Sequence, residues 1–285
     1  MPLAKETVLG YAALSGSSQN TLTAGSGQSL TIRNFSTGNA YLQEVVASAT
    51  AHPFVMQIKS PKLHDTTYGI QFAGSPFDAA AAAIFNPQTV LPSYMSQKLY
   101  ATDTLTWSVA GTNADTVAGL LDIYYTDLSG IASRLYSWST IEPLIVNYAG
   151  VTVTPETSGT ANALGTSALL NSGGYNLKAN TDYAILGWNV QNPLTGVFMR
   201  GTDTGNLWLG GPGSPSAINT GGYFIDQSVK YQLSGRGAQI PVFNSNNAGG
   251  FEVNIAGIAT STSYEVSLTV AQLSQLLPSP GAGAF

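Results

Sequence analysis

TLTWSVAGTNADTVAGLLDIYYT, residues 104–126, contains two runs rich in Thr, Val, Ile and Tyr on either side of a polar break. The runs cover residues 104–110 and 117–126, and the break between them holds Gly111 and Asn113. Residues with β-branched or aromatic side chains are enriched in strands, whereas Gly and Asn are enriched in turns. This stretch therefore predicts two β-strands, and the rest of the chain repeats the pattern.

The same rhythm extends along the chain, because Gly, Pro, Asn and Ser interrupt the sequence at intervals of roughly 8 to 15 residues, as in sandwiches and barrels. Residues 28–35 (QSLTIRNF) alternate, which places Leu30 and Ile32 on one face and Arg33 on the other. Further strands are predicted at residues 41–48, 54–59, 68–73, 144–153, 183–190, 196–200, 206–209, 239–243, 251–258 and 263–270. More than a dozen short strands indicate an all-β sandwich or barrel.

Helix signals are few. Residues 76–85 (PFDAAAAAIF) predict a short helix, because a proline lies near its start, an Ala run follows and Asn86 with Pro87 ends it. Less regular patterns predict helical turns at residues 132–142 and 222–233. The predicted fold is therefore all-β with a few short helices.

Two stretches predict loops or inserted structure. Residues 154–176 are rich in Ser, Thr, Gly and Ala and weakly periodic, and residues 201–221 contain the densest glycine cluster of the chain. We expect residues 1–20 to form an N-terminal arm, residues 21–272 the folded domain with both stretches as insertions, and residues 273–285 a C-terminal arm. No internal repeat is evident in the sequence.

The composition points to a protein that contacts other chains. Charged residues make up 9% of the 285 residues, against about 25% in an average soluble domain. Ser, Thr, Asn, Gln and Gly must therefore cover most of the surface, with Tyr and Trp between them. Neighbouring copies can approach such a surface without desolvating many ions. This composition favours a protein that packs against other chains, or lies outside the cell, over a freely diffusing cytosolic enzyme.

Composition also disfavours several kinds of partner. The net charge is −5 and the charges form no runs, so no basic stripe is present to neutralise nucleic-acid phosphates. The chain has no Cys and two His, which excludes disulfides and thiolate metal sites and disfavours a His-rich site. We expect no cofactor, no metal and no small-molecule substrate. The N-terminus lacks a signal-peptide pattern, and no apolar run reaches the ~18 residues of a membrane helix.

No candidate catalytic group stands out. His52, His64 and Asp65 lack the spacing of a metal or catalytic site, and no G-x-S-x-G elbow occurs. The glycine clusters at residues 25–27 and 210–213 match no phosphate-binding motif. The carboxylates that could pair as glycosidase acids or bind Ca²⁺ have no distinguishing spacing: Asp115, Asp122, Asp203 and Asp226. We therefore expect no catalytic residues and no enzymatic activity.

Aromatic and apolar residues predict a contact surface. Trp107 and Trp188 lie in apolar runs and are expected in the core, whereas Trp208 lies in the glycine-rich stretch and is expected to be exposed or to contact a partner. Apolar side chains of the C-terminal arm are expected to dock on a neighbouring subunit. The predicted interface residues are Trp208, Leu273, Leu276, Leu277 and Phe285. Stacking of aromatic rings on sugars is the competing interpretation.

In its low charge, lack of Cys, many short strands, polar and aromatic surface and flexible ends, the chain resembles a virion coat subunit. It is similar to the jelly-roll major capsid proteins of tailless, icosahedral, membrane-containing bacteriophages, in particular the Thermus phage P23-77 group. The resemblance covers most of the chain and lies in composition and strand rhythm, together with the segment Gly201–Gly213 (GTDTGNLWLGGPG).

The resemblance implies a jelly roll, in which eight strands form two four-stranded sheets with two Greek keys. Because more than eight strands are predicted, the chain would hold either one barrel with an additional β subdomain or two small barrels. The resemblance further implies a structural virion protein, made in the host cytoplasm, that self-assembles into an icosahedral capsid shell. Its implied partners are copies of itself, other coat proteins and the internal viral membrane, without direct contact to nucleic acid.

Two other functions are compatible with the sequence. A phage spike, or a receptor-binding or carbohydrate-binding β module, shares the composition and strand rhythm. Such a module would form a small trimer that binds glycans and builds no lattice. A secreted β-sandwich glycosidase is disfavoured by the missing signal peptide and by carboxylates without distinctive spacing.

Overall fold

Two consecutive β-sandwiches form the chain in the computed structural model. The structure describes residues 3–14, 19–35, 37–49, 52–63, 69–74, 88–91, 96–111, 116–128, 130–172, 176–190, 194–213, 218–257 and 261–278. All pairs between the strands named below are antiparallel.

The first sandwich lies between residues 4 and 125. Its strands are β1 (Ala4–Ala13), β2 (Asn20–Thr21), β3 (Thr23–Ala24), β4 (Ala40–Ala49), β5 (Phe54–Lys59), β6 (Ile70–Gly74), β7 (Gln88–Leu91), β8 (Gln97–Leu99), β9 (Thr106–Gly111) and β10 (Thr116–Tyr125). One sheet has the order β3-β1-β10-β4-β7, with β8 also pairing with β4. The other sheet has the order β2-β9-β5-β6.

This arrangement is a jelly roll. The short strands β7 and β8 pair with opposite ends of β4 and act as one interrupted strand. The strands β2 and β3 form a second interrupted strand, which crosses from one sheet to the other. If β2 with β3, and β7 with β8, each count as one strand, the first sandwich has eight strands. Numbered 1 to 8 in chain order, these strands form sheets with the orders 1-8-3-6 and 2-7-4-5, which is jelly-roll order.

The second sandwich repeats this order. Its strands are β11 (Leu135–Tyr136), β12 (Ile145–Val153), β13 (Ala168–Leu169), β14 (Asp182–Val190), β15 (Gly196–Arg200), β16 (Leu209–Pro212), β17 (Ile218–Thr220), β18 (Ile240–Asn244), β19 (Glu252–Ala256) and β20 (Val266–Leu273). The sheets have the orders β11-β18-β14-β20-β12, with β17 also on β14, and β13-β19-β15-β16. The strands β17 and β18 pair with opposite ends of β14 and count as one interrupted strand. With that, β12 to β20 again give 1-8-3-6 and 2-7-4-5, and β11 extends the first sheet. The predicted all-β jelly-roll class is confirmed, in its two-barrel form.

Helices are short in the described part of the chain. The helix α1 (Trp138–Ile141) begins after Ser137, whose side chain accepts a hydrogen bond from the Thr140 N–H, and it runs into a 3-10 turn. The helix α2 (Tyr223–Gln232) lies between β17 and β18 and confirms the helix predicted at residues 222–233. The helix predicted at residues 76–85 lies outside the described residues.

Each sandwich has its own apolar core. Trp107 is fully buried in the first core and Trp188 in the second, as the sequence predicts. A third, smaller cluster joins the two sandwiches. It contains Leu9 and Leu120 of the first sandwich with Leu164, Phe198, Trp208 and Ala256 of the second. We call this set the bridging cluster, and it fixes the two sandwiches against each other.

The predicted N-terminal arm contains a central strand, which corrects the expectation for residues 1–20. The strand β1 lies between β3 and β10, and one of its ten residues is exposed. Its Lys5 and Glu6 are buried because Asp122 and Arg33 pair with them. These partners lie far along the chain from β1, so the local sequence gives no sign that two charged residues belong inside.

Two predicted strands differ from the observed ones. Residues 28–35 form one isolated bridge, between Thr31 and Thr104, because the facing segment turns at Thr102, where φ is 60°. The strand predicted at residues 206–209 begins instead at Leu209. Gly205 and Asn206 take left-handed conformations, with φ of 66° and 57°, and they delay the start of the strand.

The two predicted insertions are parts of the second jelly roll. Residues 154–176 contain β13, and residues 201–221 contain β16 and β17. Each supplies strands that belong to the basic eight of the sandwich. The scarcity of large apolar residues in these stretches reflects very short strands between turns, which sequence periodicity does not detect.

Candidate functional site

A row of charged residues lies buried where the two sandwiches meet. Lys5, Asp122 and Glu44 lie on the neighbouring strands β1, β10 and β4, and they are 0%, 5% and 2% exposed. We call these three residues the junction row. Lys5 Nζ lies 3.0 Å from Asp122 Oδ2, and the Thr7 hydroxyl donates to Asp122 Oδ1 over 2.7 Å. The strand register places Thr7 and Glu44 directly opposite Asp122, one on each side.

Helix α2 of the second sandwich packs over the junction row. Gln227 joins two of its members, because its Oε1 accepts from Lys5 Nζ over 3.1 Å and its Nε2 donates to Glu44 Oε2 over 3.2 Å. Lys230 and Tyr231 also donate to the Glu44 carboxylate. The row is therefore a polar contact between the sandwiches and is closed to solvent.

The two carboxyl groups of the junction row differ in acidity. Burial raises the pKa of Asp122; the Lys5 ammonium opposes this shift, and the charge of Glu44 adds to it. Burial also acts to raise the pKa of Glu44, but hydrogen bonds from Lys230 and Tyr231 outweigh burial, so that pKa lies below its ordinary value. Glu44 is thus held as a carboxylate, whereas Asp122 takes up a proton more readily than an ordinary Asp.

Trp208 is buried inside the chain, which corrects the expectation of an exposed ring. The residue is 3% exposed and belongs to the bridging cluster. The guanidinium of Arg200 lies 4.3 Å from the ring centre, and Arg200 also pairs with Glu252 at 3.0 Å. The carbonyl of Trp208 accepts from the Thr7 N–H over 2.7 Å. The residue therefore contacts the other sandwich of its own chain.

The start of the predicted C-terminal arm is fixed to its own sandwich. Leu273 ends β20, and both Leu273 and Leu277 lie in the second core. The N–H of Leu277 donates to Asp182 Oδ2 over 2.7 Å, and its carbonyl accepts from Arg134 Nη2 over 3.0 Å. Phe285 lies outside the described residues, so no described contact bears on its predicted role.

Arg134 holds this segment through a cluster with two carboxylates. It pairs with Asp182 and with Asp203, the latter at 3.4 Å. Asp203 Oδ2 also accepts from the Asn244 N–H at 3.1 Å and from the Asn247 side-chain amide at 2.9 Å. Each of the four carboxylate oxygens of Asp182 and Asp203 accepts at least one hydrogen bond. The cluster borders a cleft of about 480 Å³. It holds the backbone of Leu277 in place through Arg134 and Asp182.

An exposed edge strand is the main surface feature that the sequence did not reveal. The strand β12 pairs with β20 on one side and with no described strand on the other. It has nine residues, whereas the other edge strands in the described part have five or fewer. Val146 and Tyr148 are 57% and 58% exposed. We call residues 145–150 the open edge.

Leu276 lies beside the open edge. It is 50% exposed, and together with Val146 it lines a cleft of about 520 Å³. Among the residues predicted at an interface, Leu276 is the one with a large exposed fraction in the described part. The sequence predicts the strand at residues 144–153, but alternation alone cannot tell an edge strand from a central one.

The remaining sequence candidates form no site in the described part. His64, Asp65 and Asp115 lie outside the described residues. Among the residues that the structure covers, no group of three or more His, Cys, Asp or Glu could hold a metal ion. No helix in the described part of the chain is both long enough and apolar enough to cross a membrane.

Comparison with known proteins finds distant structural similarity. No family model and no curated protein sequence matches the chain. The PBSX exported protein XepA is similar at 11% identity and a TM-score of 0.26, over 94% of this chain and 86% of that one. The T=1 Penaeus vannamei nodavirus structure is similar at 10% identity and a TM-score of 0.22, over 96% and 99%. At such scores neither similarity bears on function.

Proposed function

We propose that this chain is a structural coat subunit that assembles with copies of itself into a virion shell, without an enzymatic role. The observation that carries the proposal is the open edge of β12 on a double jelly roll with few charges. Jelly rolls are a common architecture of viral capsid domains, and they also occur in lectins. The exposed edge favours assembly, because it supplies a surface that can pair with another chain.

The open edge lacks the usual protection of an edge strand. Unpaired N–H and C=O groups along an edge form a template for another strand, and soluble proteins block such edges with Lys, Pro or short strands. Apart from a register shift at its start, β12 (IVNYAGVTV) has no such device, since it contains neither a charged residue nor Pro. Pairing there would cover Val146 and Tyr148 and satisfy backbone groups at the same time.

A second copy is the occupant that the composition favours. A shell needs many weak, repeated contacts so that misplaced subunits can leave again. An uncharged strand edge next to Leu276 provides such a contact without desolvating ions. Other coat proteins and an internal viral membrane are further partners in this proposal, as the sequence resemblance implies.

Electron microscopy of the purified protein across a concentration series, with light scattering on the same samples, tests the proposal. We expect sheets, shells or regular capsomers that increase with concentration. A stable small oligomer that binds glycans and never forms a lattice, even with a partner coat protein added, would favour a spike or carbohydrate-binding module instead.

A further inference from the structure

We propose that Lys5 and Asp122 condense into an isopeptide bond that joins the first and last strands of the first jelly roll. This modification does not depend on assembly or on the identity of any partner. Lys5 lies on β1 and Asp122 on the neighbouring strand β10. A covalent bond between them would close the sandwich across its chain ends.

The reacting groups are already in contact and shielded from water. Lys5 Nζ lies 3.0 Å from Asp122 Oδ2, and the residues are 0% and 5% exposed. Groups held about 3–3.5 Å apart in a fixed orientation react as if at very high concentration, with effective molarities on the order of 10⁵ M or more. Such a gain can drive an amide condensation that free amines and carboxylates do not undergo in water.

The condensation is balanced without an added reagent. The Lys5 ammonium first gives a proton to the Asp122 carboxylate, which leaves a neutral amine beside a carboxylic acid. The amine nitrogen then bonds to the Asp122 carboxyl carbon. The bond from that carbon to the hydroxyl oxygen breaks, and the hydroxyl leaves with one amine proton as water. No electrons are gained or lost overall.

The surroundings favour each part of this step. Burial destabilises a charged pair relative to a neutral amine and acid, and the adjacent Glu44 carboxylate favours the protonated form of Asp122. The Thr7 hydroxyl donates to Asp122 Oδ1 over 2.7 Å, so it can stabilise negative charge that develops on that oxygen. Gln227 Oε1 accepts from Lys5 Nζ over 3.1 Å and orients the nitrogen.

A second Lys–carboxylate contact in the same molecule provides an internal control. Lys230 also donates to Glu44, but its side chain is 40% exposed, whereas that of Lys5 is fully buried. The exposed side chain of Lys230 is in contact with water, so this pair lacks the dry surroundings that the condensation needs. We expect this pair to remain an ion pair.

Mass spectrometry of the full-length, denatured protein tests the proposal. We expect the intact mass to lie below that of the sequence, counted with or without Met1, by the mass of one water molecule. After trypsin digestion, residues 1–33 should remain joined to residues 99–134, without cleavage after Lys5. The peptide of residues 201–230, which ends at Lys230, should be recovered unlinked.

A Lys5→Arg variant is the matched control, because it keeps the positive charge and removes the primary amine. Its intact mass should equal that of its own sequence. A wild-type mass equal to the sequence mass, with residues 6–33 released as a free peptide, would overturn the proposal, as would a water loss mapped to other residues. The wild-type measurement decides the matter even if the variant fails to fold.

Discussion

At the scale of single residues, the packing of Trp107 depends on two glycines. Gly10 and Gly119 lie directly opposite each other on β1 and β10. A Cβ atom at Gly10 would lie 2.3 Å from the Trp107 ring, and one at Gly119 would lie 2.7 Å from it. We expect Gly10→Ala to lower the free energy of unfolding by about 1–3 kcal/mol, because the fully buried ring cannot move aside. Denaturant unfolding measures this loss.

Gly250→Ala is the control for this substitution. A Cβ atom there meets open space, so we expect a change within about 0.5 kcal/mol. Equal losses in the two variants would show that the intrinsic effect of alanine, and not contact with Trp107, causes the destabilisation.

Buried tyrosines make the fold sensitive to alkaline pH. Burial raises the pKa of Tyr124, Tyr125, Tyr223 and Tyr231. A folded pKa above the unfolded value of about 10 means that the stabilisation is complete below that pH and is lost as the pH rises towards the folded pKa. We therefore expect the melting temperature to fall steeply above about pH 10. Calorimetry across an alkaline pH series measures this fall.

Tyr125→Phe tests the origin of the alkaline sensitivity, because it removes one buried ionisable group from the first core. Its melting temperature should fall less steeply with pH than that of the wild type. An unchanged slope would assign the alkaline effect to groups other than this tyrosine.

Local sequence predicts that a residue is buried when the residues beside it in the chain are apolar. Trp107 and Trp188 lie in apolar runs and are buried, as predicted. Trp208 follows a glycine-rich turn, which predicts exposure, yet the glycines allow close packing between the sandwiches. The Gly210 N–H, for example, donates to the hydroxyl of Thr7 in the first sandwich over 3.2 Å. The contact of Lys5 with Asp122 has no local signal, since it joins opposite ends of the first sandwich.

At the scale of elements, the open edge of β12 is the feature to test. We expect Tyr148→Lys to abolish or strongly reduce assembly, because a charged side chain on an edge strand opposes pairing with another strand. The fold of the monomer should persist, since Tyr148 is 58% exposed. Light scattering measures assembly, and circular dichroism measures the fold.

Leu233→Lys is the control for the edge strand. Leu233 is fully exposed at the end of α2, away from β12 in the chain, so its substitution places the same charge elsewhere on the surface. We expect this variant to assemble normally. Loss of assembly in Leu233→Lys together with normal assembly in Tyr148→Lys would place the subunit contact at α2.

Strand existence is predicted well from the sequence, and strand ends less so. Phe54–Lys59 and Gly196–Arg200 match their predicted ranges residue for residue, because turn residues limit them on both sides. The strand β20 begins at Val266 instead of residue 263, although SYEV continues the alternation. Alternation of apolar and polar residues shows which side chains share a face of a strand. The end of the strand depends on where the neighbouring strand stops pairing with it.

At the scale of the whole molecule, the sequence predicts the class but not the duplication. The two sandwiches have the same strand order. No sequence repeat marks this duplication, because a sandwich demands alternation and turns but few particular residues. The strand count alone is therefore compatible both with one barrel plus a subdomain and with two barrels. Pairing between distant strands decides between them, and that information is not local.

The placement of charge predicts that assembled particles survive molar NaCl. Of the ten Lys and Arg residues, five pair with carboxylates of the same chain in the described part: Lys5, Arg33, Arg134, Arg200 and Lys230. At most five cations then remain for contacts between subunits. Salt at about 1 M shortens the screening length to ~3 Å, which weakens exposed ion pairs but not apolar burial or backbone pairing.

Light scattering across a NaCl series measures this stability, with electron microscopy of the same samples. Particles held by the open edge should keep their size throughout the series. Dissociation at moderate salt would mean that the remaining charged residues carry the contact. In that case Tyr148→Lys should have little effect, and the two measurements together would distinguish an apolar strand contact from an electrostatic one.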